Sequence, residues 1–73
     1  MTPQTPAERV AAEVRAALAR QARPQKYVCQ VLGISRSSVA RRLSGQTAFD
    51  VDELHKLSVA LGVPMSDFMA GAA

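Results

Sequence analysis

The chain has one cysteine, no tryptophan and only three aromatic residues, Tyr27, Phe49 and Phe68. A lone Cys29 excludes an intrachain disulfide and a zinc centre built from cysteines. A domain this small without a disulfide fits a reducing compartment, so a cytoplasmic location is expected. Hydrophobic residues make up 48% of the chain, but alanine supplies much of that and aromatics 4%. Such a composition favours short, close-packed helices over a sandwich of β-branched strands. No apolar run approaches the ~20 residues of a membrane span, and "MTPQTPAERV" has no apolar stretch behind a basic one. Neither a membrane association nor a secretory leader is expected. The most informative absence is of negative charge. No acidic residue stands between Glu13 and Asp50, whereas seven of the nine basic residues do: Arg15, Arg20, Arg23, Lys26, Arg36, Arg41 and Arg42. A cationic middle of this kind suits a polyanionic partner.

What remains is helical punctuation. Seventy-three residues make one domain, which buries roughly 60% of its unfolded surface and so relies on well-capped helices. Thr5-Pro6-Ala7-Glu8 is a capping box with proline at the first helical position, and Val10, Val14, Ala17, Leu18 and Gln21 form the stripe behind it. Pro24 ends this helix or opens the next. A short second helix, "QKYVCQVL", turns Val28, Val31 and Leu32 inward and closes at Gly33 in a left-handed conformation. Ser35 caps a third helix that runs to Ser44 and stops at Gly45. After the loop "QTAF", a second capping box, Asp50-Val51-Asp52-Glu53, starts a fourth helix with Leu54, Leu57 and Leu61 buried and Gly62 as its stop. Pro64 introduces a last short turn of helix, "MSDFMA". The expected division is a flexible N-terminus over 1–5, one all-α domain over 6–70 and a flexible tail over 71–73.

The segment "GISRSSVARRLSG", residues 33–45, carries three arginines, four serines and no carboxylate. Wound at ~100° per residue, Val39 and Leu43 fall on one side. Arg36, Ser37, Ala40, Arg41 and Ser44 then occupy a contiguous arc that is small, polar and cationic. Arginine donates two parallel hydrogen bonds to guanine O6 and N7, and serine bonds bases or phosphates, so the arc suits a DNA major groove. The alternative is a solvated helix whose arginines only confer solubility.

The ordered set "PQKYVCQVLGISRSSVARRLSGQTAFDVDELHKLSVALGVPMSDFM" resembles the phage repressor and Cro-type helix-turn-helix family, the XRE-like regulators, over nearly the whole chain. Gln25, Cys29, Leu32-Gly33-Ile34-Ser35, Val39, Leu43, Gly45 and Leu54 to Val63 occupy the places of its pattern. The resemblance implies a compact five-helix, lambda-repressor-like bundle with a central helix-turn-helix, acting as a repressor on double-stranded DNA. It implies base reading by Arg36, Ser37 and Arg41, and phosphate contacts by Gln25, Ser35 and Gln46. Lys26, Ser38, Arg42 and Ser44 are added as candidate backbone contacts, Arg42 lying outside the base-reading arc. Pro24 departs from the pattern by replacing a serine or threonine cap, and Cys29 by replacing an alanine. A homodimer on an approximately palindromic operator is expected, since one short helix reads few base pairs. Phe49, Phe68, Met65 and Met69 read as core, but some of the C-terminal ones can instead form a dimer surface: Val63, Met65, Phe68 and Met69 are the candidate interface, because they exceed what so small a core easily absorbs.

Other residues carry weaker signals. Cys29 reads as a buried small hydrophobe and His55, without a partner, as a solvated side chain. Tyr27 is expected on the exposed side of the second helix. Neither a nucleophile–base pair nor a metal-ligand spacing is visible, so no enzyme activity, metal or cofactor is expected. Two other functions share the scaffold: a DNA-binding antitoxin, for which "MAGAA" is a short tail, and a protein-interaction module whose arginines meet an acidic surface. Ala72 and Ala73 also resemble an end that proteases engage. A stand-alone regulator of phage or prophage origin is the simplest expectation.

Overall fold

A computed structural model describes residues 4–70, and the expectations for residues 1–3 and 71–73 lie outside it. The described residues form five helices and no strand: α1 (Pro6–Arg20), α2 (Gln25–Leu32), α3 (Arg36–Ser44), α4 (Val51–Leu61) and α5 (Met65–Met69). Their Cα radius of gyration is 11.2 Å.

Local chemistry sets most of the boundaries. In the first capping box the Thr5 N–H donates to Glu8 Oε1 at 2.9 Å, and the Glu8 N–H donates to Thr5 Oγ1 at 3.1 Å. The Thr5 backbone N–H, and secondarily its hydroxyl, hold the Glu8 carboxyl below the ordinary carboxylate range. This contribution to α1 is therefore complete at neutral pH and fades only as pH falls through the lowered value. The Asp50–Glu53 box repeats the arrangement on α4, at 2.7 and 3.0 Å. Helices α2, α3 and α4 stop at left-handed glycines. Helix α1 stops differently: Ala22 takes φ 53° without being glycine, and the Arg23 N–H closes back on the Leu18 carbonyl at 2.9 Å. Pro24 therefore opens α2, and as its N-cap it supplies no side-chain hydrogen bond.

The core is one cluster to which every helix contributes. Val10, Val14, Ala17 and Leu18 of α1 meet Val28 and Leu32 of α2, Val39 and Leu43 of α3, Leu54, Leu57 and Leu61 of α4, and Phe68 of α5. Helix α1 packs against α3 and α5, and α2 bridges α3 and α4. Polar side chains complete the ends. The carbonyls at the end of α4, unpaired within the helix, accept from Gln21 Nε2 (Leu61 O, 2.7 Å) and Tyr27 Oη (Ala60 O, 3.2 Å). Tyr27 is thus half-buried against the core with the Arg23 guanidinium 4.6 Å from its ring centroid, a correction to the exposed position expected for it. Val31 and Cys29 are half-buried against the same cluster.

Of the residues that read as core or as dimer surface, only Phe68 is fully buried. Phe68 is 1% exposed and belongs to the core. A five-residue helix docks on α1 and α4 by its largest apolar side chain, and in α5 that side chain is Phe68. Val63 and Met65 are half-buried, and only Met69 stands clear, at 45% exposure. Phe68→Ala is accordingly expected to cost about 3–5 kcal/mol in denaturant unfolding, whereas Met69→Ala should stay within about 0.5 kcal/mol. Equal costs would contradict this docking of α5.

Candidate nucleic-acid interface

Helix α3 has nine residues and buries only two of them, Val39 and Leu43. Burial of each is worth about 1.5–3 kcal/mol, and a helix this short has no stability of its own. Its placement depends on contacts at both ends. At the start, Ser35 Oγ accepts from the Ser38 N–H at 3.2 Å. At the far end, the Arg15 guanidinium of α1 donates to the Leu43 carbonyl. Gly45, at φ 85°, lies so close to α1 that a Cβ there would stand 2.7 Å from Glu8 Cα. Arg42 lies between the two ends. Its Nε donates to both Glu53 carboxylate oxygens, at 3.1 and 3.0 Å, and its Nη1 to the Ser38 carbonyl at 3.2 Å. With side chains 20% and 13% exposed, this pair ties α3 to the first turn of α4.

The remaining face of α3 is free of packing. Arg36, Ser37, Ala40, Arg41 and Ser44 are all exposed, forming the arc expected from helical spacing. Among the described residues Arg36 has no hydrogen bond or ion pair, and Arg41 reaches only Ser38 Oγ, at 3.3 Å. Gln25 and Lys26 are exposed in the first turn of α2, their side chains likewise uncommitted, and Gln46 is exposed just beyond Gly45. The serines are more occupied. Ser35 Oγ lies 3.2 Å from Ser37 Oγ and 3.1 Å from Ser38 Oγ. Ser44 Oγ donates to the Arg41 carbonyl at 3.0 Å and accepts from the Gln46 N–H at 3.4 Å.

This sorting corrects the simplest reading of the cationic run. Arg42 has a carboxylate partner, and its Nε on Glu53 ties α3 to α4. Arg15 spends a donor on Leu43, and Arg23 covers Tyr27. Lys26, Arg36 and Arg41 remain uncompensated by any carboxylate on α2 and α3. Spacing along the chain could not reveal the Arg42–Glu53 and Arg15–Leu43 ties, because they join residues 11 and 28 positions apart. Among the described residues no group of histidine, cysteine and carboxylates is placed to hold a metal ion, and no helix is long and apolar enough to cross a membrane.

A short helix, a turn through a left-handed glycine and a second, serine-capped helix with arginines outward constitute a helix-turn-helix unit. The profile of the helix-turn-helix family matches residues 14–68, and the chain belongs to this family, in its Cro/XRE type. That membership makes it a DNA-binding regulator of the XRE type. No curated protein and no solved structure matches the chain.

The tie between α3 and α4 is open to a double-mutant cycle. Arg42→Ala and Glu53→Ala should show a coupling of about 0.5–1 kcal/mol in thermal or denaturant unfolding. Strict additivity would mean that the pair does not hold α3.

Proposed function

We propose that the protein is a repressor that occludes promoter DNA, with α2 lying across the phosphate backbone and α3 inserted in the major groove. The observation that carries this reading is the outer face of α3. Arg36, Ser37 and Arg41 stand exposed among small neighbours with no carboxylate to neutralise them among the described residues, on a helix tied at both ends. Arg36 and Arg41 read base edges, with guanine the preferred partner of a guanidinium fork, and Ser37 reads an adjacent base.

Phosphates are held by Gln25 and Lys26 at the start of α2, where backbone N–H groups and the helix dipole also favour an anion. Ser35, Ser38, Ser44 and Gln46 hold others around α3, each serine exchanging an internal hydrogen bond for one to DNA. Arg42 serves as a positioning residue. Two copies act together on an approximately palindromic operator, because one helix of nine residues reads too few base pairs for genomic selectivity. The reading places the protein in a bacterial cytoplasm, as a small Cro-like or immunity-type regulator of phage or prophage.

Replacing Arg36 or Arg41 by alanine should weaken the preferred site by about 1–3 kcal/mol and relax preference at one base pair, leaving non-specific binding little changed. Lys26→Ala should instead weaken all sequences alike and reduce the salt slope by about one unit. Unchanged sequence preference in both arginine variants would remove α3 from the major groove.

A further inference from the structure

Helix α4 turns Leu54, Leu57 and Leu61 into the core. On its outer side two large aliphatic side chains stand in water, Val51 at 72% and Val59 at 70% exposure. Single exposed aliphatics are common, but these two share a strip with exposed His55 at helical spacing i, i+4 and i+8. At the Val51 end the strip opens into an apolar groove of about 310 Å³ against Phe49, Met65 and Met69. At the Val59 end it meets a depression shared with Val31 of α2. The outer side of α4 thus carries an apolar patch at each end, with His55 between them.

Beside this strip, on the flank nearer α2, lie Asp52 and Lys56, both exposed and neither in an ion pair. The pattern is its own complement when reversed. Val51 and Val59 sit four positions either side of His55, and Asp52 and Lys56 sit two either side of position 54. A second α4 laid antiparallel brings Val51 against Val59 of the second copy, twice, and Asp52 against its Lys56, twice. A parallel two-fold arrangement would put Asp52 and Lys56 of the two copies on opposite flanks of the seam, where they could not pair.

We infer that the outer face of α4 is the docking surface for a second copy of this chain, antiparallel, about a two-fold axis between positions 54 and 55, which leaves both sets of pairs within one residue of register. The inference deepens the dimeric part of the proposed function and rests on it. An axis perpendicular to the paired helices leaves the α2 flank of both copies facing the same way. A strip on an 11-residue helix falls short of the ~800 Å² per partner of a standard interface. Association in solution is consequently weak, and strengthens when both copies share one duplex.

Sedimentation of the DNA-free protein from micromolar to millimolar concentration tests this, with helicity and melting temperature confirming that each variant folds. The wild type should show a monomer–dimer equilibrium. Val59→Asp and Lys56→Asp should each weaken it about tenfold or more. Asp52→Lys should act likewise, and mixing the Asp52→Lys chain with the Lys56→Asp chain should restore association, because both pairs are then attractive. Val59→Asp carries the test if Asp52→Lys disturbs the first turn of α4. A wild type that stays monomeric throughout, or a mixture no better than its components, overturns the inference. So does association lost in Met69→Asp but kept in Val59→Asp, which would seat the second copy in the α5 groove instead. Two copies bound to DNA equally well by wild type and Val59→Asp would overturn this interface while leaving the dimeric reading intact. Association through α4 without any selective DNA binding would support the interface and remove the DNA reading.

Discussion

The structure turns on how little of α3 is buried. Val39 and Leu43 alone join it to the core, so hydrophobic packing fixes its distance from α1 and α2 better than its angle. Angle is what a helix in a groove needs controlled. The control comes from polar contacts made elsewhere: Arg15 on the Leu43 carbonyl, Arg42 on Glu53, and Gly45 pressed against Glu8. Each uses a backbone group or a side chain on the inner side of α3. The outer side is left unburied and without a carboxylate partner.

This division explains the acid-free stretch from Arg15 to Arg42. It holds two kinds of cation that look alike in sequence. Arg15, Arg23 and Arg42 are used within the protein, as donor, ring cover and ion-pair partner. Arg20, Lys26, Arg36 and Arg41 have no carboxylate partner among the described residues, and the last three lie on the helix-turn-helix, where they count for a polyanion. Placing carboxylates only near the chain ends keeps the second group uncompensated. Glu53, at one of those ends, still reaches back to Arg42 because α4 begins beside α3. The same helix also carries the charge pattern on its outer face that complements a second copy.

Nearly all of the fold was legible in the sequence because its signals are local. Thr5 with Glu8, Asp50 with Glu53, Ser35, and glycines 33, 45 and 62 each specify a helix end within four residues, and the structure has its ends there. The exposed arc of α3 followed from helical spacing for the same reason. What could not be read depends on tertiary docking. Tyr27 reads as exposed, and Phe68 as either core or interface, because both lie in short helices whose inward side is decided by the neighbour they meet, α4 for one and α1 with α4 for the other. The commitment of Arg42 was hidden because its partner lies beyond a loop, and Ala22 gave no sign of a left-handed turn because alanine rarely adopts one.

The central claim is that an uncompensated arginine face on an α3 tied at both ends selects DNA sequence. Selection of bound duplexes from a random pool, carried out with the wild-type protein, tests it most directly. The account predicts enrichment of an approximate inverted repeat with half-site centres about one helical turn, ~10–10.5 bp, apart. Guanines should recur at positions that lose their preference when the selection is repeated with Arg36→Ala or Arg41→Ala. A pool that shows no enrichment, or the same enriched sequence from both arginine variants, would contradict it.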